Sequence, residues 1–301
     1  MSLAKRVQAR KAAGQKFDFA AAAASRDASP AAEPAAEEAA ESVRTPSARP
    51  VSAAQRHRFR VLAASGSRVL AAAGAPSAAS AANDGPLSTA EAEIRLQLID
   101  HKRSLKAIQS REAKIALKRD ILPLYAPWVE GVLEANTGAA DEVFATVMIW
   151  RIDVGDFFGA LPQIEYVLRH KLELPAHIDR TPATFITEEI AEAALKAYQL
   201  GAEAAAAFPA GILPAIEDLV DGDVPELRAD MPDEVRAKLQ KAIGLAVLFV
   251  DDEDRQRQEE SLKRFQRALE LDPKSGVKKA IEQLQRKLNK PTNPPAPEGT
   301  G

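Results

Sequence analysis

The chain has 301 residues, a formal net charge of −3, 46% apolar but only 5% aromatic residues, and no cysteine. That charge gives no whole-molecule field to draw the protein to nucleic acid, so any such attraction must be local. The absence of cysteine excludes disulfides, thiol nucleophiles and cysteine-bound zinc, and the scarcity of aromatics favours alanine- and leucine-rich helices over a β-sandwich.

Length allows about two domains of ~100–200 residues each. Residues 1–50 are alanine, proline, serine and scattered charge, with Pro30, Pro34, Pro46 and Pro50 interrupting any long helix. Such a segment buries too little apolar surface to offset its ordering entropy, and a disordered tail is expected. Lys5, Arg6, Arg10 and Lys11 interrupt any signal-peptide core. No run of about 18 apolar residues suggests a membrane span. The expectation is a soluble cytosolic protein.

Residues 51–86 hold a basic segment and a linker. Arg56, His57, Arg58 and Arg60 put four basic or potentially basic groups into five positions, and Arg68 follows. A planar guanidinium can bind two phosphate oxygens at once, so clustered arginines suit a nucleic-acid backbone. A solvated basic helix end explains the same residues, and both readings stay open here.

Residues 87–122 open with the capping-box spacing Ser88-Thr-Ala-Glu91. Ile94, Leu98, Leu105, Ile108, Ile115 and Leu122 then follow a seven-residue repeat, among eight Lys/Arg and three acids. One basic amphipathic helix of up to ~30 residues is expected, packed on the core or self-associating as a coiled coil. Lys102, Arg103 and Lys106 are its first cluster of cations. Pro123 and Pro127 are expected to end it.

Residues 123–289 are expected to form an all-α core. Both tryptophans, two of three tyrosines and four of ten phenylalanines lie between Leu122 and Phe185. A helix over Asp141–Arg151, a stop at Gly155 and a second helix capped by Asp156 make a hairpin, with Phe158, Leu161, Ile164, Val167 and Leu168 inward. Thr181-Pro182 opens another helix, and a short one surrounds Ile212–Leu219. Asp230 is read as the cap of the next helix, with Pro232 in its first turn. An acidic turn at Asp251–Asp254 precedes a helix from Ser261 to Leu271, closed by Pro273. The two hairpins, about 100 residues apart, resemble tetratricopeptide units. A last helix carries Val277, Ile281, Leu284 and Leu288 on one stripe, and residues 290–301 form a Pro/Gly-rich tail.

No Gly-rich phosphate loop is present, so no Walker-type ATP hydrolysis is expected. His57, His101, His170 and His177 have no metal-ligand spacing. Asp153, Asp156, Glu188 and Glu189 are the acidic candidates for a metal-dependent nuclease, which needs carboxylates converging on ions roughly 3.5–4 Å apart. Carboxylates at helix starts more often serve as caps. No metal site and no cofactor are expected from the residues themselves.

Pro127–Leu133, Thr146-Val-Met-Ile-Trp-Arg-Ile-Asp-Val-Gly-Asp156, Gly159-Ala-Leu161 and Arg180-Thr-Pro182 closely resemble the small terminase subunits of temperate, cos-packaging myophages. Thr187-Glu-Glu189, Ala229–Leu239, Gly276–Glu282, the Arg56-His57 segment and Leu105–Ile108 extend the resemblance over roughly residues 50–290. It implies a subunit that binds double-stranded viral DNA at the cos region, in the cytoplasm of a bacterial host, beside a large ATP-driven subunit. Homo-oligomers are expected. On this reading the DNA-facing residues are Arg56, His57, Arg58, Arg60 and Arg68, then the Lys102–Lys118 stretch. The family is often named the terminase endonuclease subunit. An alternative therefore has this chain cut DNA itself with Mg²⁺, and a third makes it a helical scaffold that binds only protein.

Overall fold

The structure is a computed structural model that describes Arg60 and residues 89–290. The tail expected over 1–50, the rest of the basic segment, and residues 291–301 lie outside the described residues. Every regular element among the described residues is α-helical. The chain divides into two compact units: one runs to Pro182 and includes Val224–Leu227, and the other holds Ala183–Asp223 and the residues from Arg228.

The first unit contains α1 (Thr89–Ala107), α2 (Arg111–Ala135), α3 (Glu142–Asp153) and α4 (Phe157–Arg169). The single basic helix expected over 87–122 is two helices. Ser110 breaks it by acting as the α2 N-cap, its side chain accepting from the Ala113 amide at 3.3 Å. Glu112 follows in the first turn, where the helix dipole favours a carboxylate.

Pro123 and Pro127 do not end a helix; both lie inside α2. Each removes the amide that would bond the carbonyl four residues earlier, at a cost of ~3 kcal/mol or more. Ile121, Leu122, Tyr125, Trp128, Val129 and Val132 are all buried along this stretch. At ~1.5–3 kcal/mol each, their burial outweighs two prolines. Packing decides the helix end, which comes at Asn136 in the left-handed region with φ 47°.

The α3–α4 hairpin forms as its local signals indicate. Asp141 caps α3 by accepting from the Phe144 amide at 2.9 Å, and its other oxygen accepts from the Trp128 indole at 2.8 Å. Burial pushes the Asp141 carboxyl up against these hydrogen bonds. Gly155 turns the chain with φ 81°, and Asp156 caps α4 through the Gly159 amide at 3.1 Å. Leu161, Ile164, Val167 and Leu168 are buried as expected, but Phe158 is exposed and Phe157 takes the inward position.

The second unit contains α5 (Pro182–Leu200), α6 (Ala202–Ala207), α7 (Ile212–Val220), α8 (Asp233–Val250), α9 (Arg255–Leu271) and α10 (Lys278–Leu288). Asp230 is not the cap of α8; Pro232 occupies that position, without a side-chain hydrogen bond. The helix expected from Ser261 begins two turns earlier, because Asp254 accepts from the Gln256 amide at 2.8 Å and caps it.

Gly244 lets α8 and α9 meet closely: a Cβ there would lie 2.6 Å from the Phe265 ring. Ser261, fully buried, donates to the Gly244 carbonyl at 3.0 Å. Phe265, Ala268, Val277, Ile281 and Leu284 close the core of α8, α9 and α10. A polar cluster ties α7 in: Gln240 donates to Glu217 at 2.7 Å, and Arg264 bonds Glu217, Glu260 at 2.8 Å and Gln240 at 3.1 Å. No helix among the described residues is long and apolar enough to cross a membrane.

Candidate nucleic-acid interface

The break at Ser110 makes an elbow. α1 ends at Ala107 and α2 begins at Arg111, so only three residues separate two helix ends that carry cations. Lys106 is exposed in the last turn of α1, where a cation also complements the helix dipole. Arg111 is exposed at the start of α2, and Lys114 follows one turn on, half-buried. Arg103 lies one turn before Lys106 and contacts Asp100 at 3.2 Å, both side chains well exposed. An exposed pair of this kind adds little stability and yields readily to a stronger anion.

Other expected cations are engaged elsewhere in the unit. Lys102 donates to Glu142 at 2.7 Å and ties α1 to α3. Arg60 pairs with Glu134, its Nε 3.0 Å from the carboxylate, and lies 3.9 Å from Glu130; both acids are on α2. The hydrogen bond from Arg60 holds the Glu134 carboxyl below its usual range. Arg56, His57, Arg58 and Arg68 lie outside the described residues. Arg103 and Lys106 thus precede the break and Arg111 and Lys114 follow it, while Lys102 and Arg60 are occupied by acids.

The four acidic candidates are divided between the two units. Asp153 and Asp156 belong to the first unit, Glu188 and Glu189 to the second. Asp153 accepts from Lys118. Asp156 is the α4 cap and also lies 4.0 Å from Arg151 Nε. Glu188 accepts from Lys238 at 2.7 Å, and Glu192 receives the same ammonium at 2.6 Å. Burial opposes the charge on Lys238, but these two carboxylates outweigh it and hold its pKa up. Among the described residues no group of three or more His, Cys, Asp or Glu side chains could hold a metal ion.

The first unit has one further basic feature beside the elbow. Arg119 and Arg151 line an open cavity of about 400 Å³ with Pro123, Gly155 and Asp156. Arg151 bonds the Gly159 carbonyl, and its buried Nε has no hydrogen-bond partner. Arg119 reaches the Val154 carbonyl at 3.4 Å. These arginines mostly hold the α3–α4 turn. Arg151 was hidden in the sequence because a lone cation within an apolar helix gives no pattern.

A family model for the phage small terminase subunit matches residues 95–234, which include the elbow and the α3–α4 hairpin. The chain is 40% identical over 251 residues to a protein named terminase, endonuclease subunit, from Escherichia phage P2. That alignment covers 82% of this chain and 89% of the relative. No solved structure matches the chain. With identity sustained over most of both proteins, the chain belongs to the phage small terminase subunit family and has a terminase role in phage DNA packaging.

Proposed function

We propose that this chain is the DNA-recognising small subunit of a cos-type terminase, which binds double-stranded viral DNA and directs its cleavage and packaging by a large, ATP-driven subunit. The observation that carries the reading is the elbow. Lys106, Arg111 and Lys114 have no ion pair with another described residue, and Arg103 has only an exposed one. Unneutralised cations at adjoining helix ends suit phosphate contacts, which position a protein on DNA without reading sequence. The sequence concentrates further arginines at Arg56, Arg58 and Arg68, a second candidate for phosphate contact.

The endonuclease name of the P2 relative supports a second reading, in which this chain cuts DNA with Mg²⁺. The engaged states of Asp153, Asp156 and Glu188 favour the first. In that reading the large subunit performs the cut. The α3–α4 and α8–α9 hairpins are the parts of the fold on which a tetratricopeptide-like scaffold reading rests, and they serve here as framework.

The test uses the purified, partner-free chain with cos DNA and Mg²⁺. Binding without strand cleavage, with cleavage appearing when the large subunit and ATP are added, supports the proposal. Cleavage by the chain alone that disappears in Asp153→Ala or Glu188→Ala would establish the endonuclease reading instead.

A further inference from the structure

The cavity of about 400 Å³ at the α3–α4 turn has features that holding the turn does not require. Arg119 and Arg151 line it together with a single carboxylate, that of Asp156. This carboxylate is committed to the Gly159 amide at 3.1 Å, and the nearby Asp153 is taken by Lys118. Two guanidiniums lining one open space repel each other unless an anion lies between them. Leu122, Pro123 and Ala126 give the same cavity an apolar wall, suited to the carbon edge of a sugar.

Arg151 is anchored through the Gly159 carbonyl, and its side chain is only 19% exposed. Its buried Nε–H has no acceptor, because the Asp156 carboxylate is 4.0 Å away and out of hydrogen-bond range. A buried donor left unpaired carries a cost that an incoming acceptor would relieve. Arg119 can supply a second contact. It is exposed, has no ion pair with another described residue, and its bond to the Val154 carbonyl is long at 3.4 Å. The cavity also continues the elbow. Arg111, Lys114 and Arg119 share α2, and at 1.5 Å per residue Arg119 lies about 8 Å beyond Lys114 along the helix axis.

We propose that this cavity is a phosphate site, filled by one backbone phosphate of the DNA whose neighbouring phosphates meet the elbow. The phosphate oxygens accept from the Arg151 Nε–H and from the Arg119 guanidinium, which gives up its long bond to Val154. Arginine suits such a site because its planar fork can offer two donors to one phosphate. The site rests on the reading that the chain binds double-stranded DNA, and it adds a contact that the elbow does not include.

Side-chain NMR of the arginine Nε–H groups in the full native chain tests the site without altering it. A saturating DNA duplex should shift the Arg151 and Arg119 signals and leave that of Arg255, exposed on α9, in place. An Arg151 signal unmoved by a bound duplex would overturn the proposal. A shift caused by ATP alone, with none from the duplex, would overturn it as well, by assigning the cavity to a free nucleotide. The salt dependence of duplex binding gives an independent reading. Arg119→Gln should lower the slope of log affinity against log salt by about 0.9, and Arg119→Lys, which keeps the charge, should preserve it, with both melting temperatures unchanged. If a chain carrying Lys106→Ala, Arg111→Ala and Lys114→Ala loses slope and Arg119→Gln does not, the cavity fails as a phosphate site while the elbow stands. A native chain with no salt-dependent affinity for the duplex would overturn the DNA reading and this site together.

Discussion

His101 Nδ1 lies 2.8 Å from the hydroxyl of Tyr125, joining α1 to a tyrosine on α2 that is fully buried. The two rings meet edge to face, and Tyr125 stacks the same way on Trp150 of α3. This chain of rings attaches the basic helix α1 to the core and thereby fixes where the elbow sits. Burial lowers the His101 pKa from 6.5, only partly opposed by Asp100, and burial raises that of Tyr125.

A pH dependence follows from that lowered value. The folded state favours the neutral imidazole, so this contribution to stability is complete above about pH 6.5 and is lost as pH falls through that value toward the lower folded pKa. Burial also lowers His170, so the test must be a difference. The loss in melting temperature between pH 7.5 and pH 5.5 should be smaller in His101→Gln than in the native chain, as read by thermal denaturation. An unchanged loss would mean that His101 does not sense pH.

Gly244→Ala should destabilise the second unit. Alanine gains about 1 kcal/mol of helix propensity over glycine, but its methyl would meet the Phe265 ring at 2.6 Å. Overpacking of a filled core costs typically 1–3 kcal/mol, so a net loss on the order of 1 kcal/mol is expected by chemical denaturation. Adding Phe265→Leu should make the alanine substitution less harmful, because the ring edge it meets has gone. Simple additivity of the two changes would argue that the contact does not limit α8–α9 packing.

Breaking the carboxylate–lysine contacts should affect folding more than chemistry. Glu188 and Glu192 share Lys238, so Lys238→Met removes the ammonium that joins α8 to both carboxylates of α5. The expected outcome is a lowered melting temperature with cos-DNA affinity unchanged, because these groups lie in the second unit. A loss of DNA binding without a loss of stability would instead place this cluster in recognition.

The features read most directly from the sequence are those with local signals. Asp141, Gly155 and Asp156 mark the α3–α4 hairpin within a few residues of where it forms. The elbow was obscured because charge and apolar spacing continue across residues 108–110, and Ser110 is a weak mark within them. Pro123 and Pro127 are strong local signals that long-range burial overrides. For the site, the kinds of residue were visible but not their commitments. Lys102 meets an acid 40 residues away and Arg60 one 74 residues away, and only the fold brings those partners together.

The most direct test of DNA recognition at the elbow is the salt dependence of cos-DNA binding by the full chain, compared with a variant carrying Lys106→Ala, Arg111→Ala and Lys114→Ala. Each lost phosphate contact removes about 0.9 from the slope of log affinity against log salt. The prediction is a slope shallower by about 2–3, with weaker binding to all sequences alike and an unchanged melting temperature. An unchanged slope and affinity in a stably folded triple variant would contradict the account.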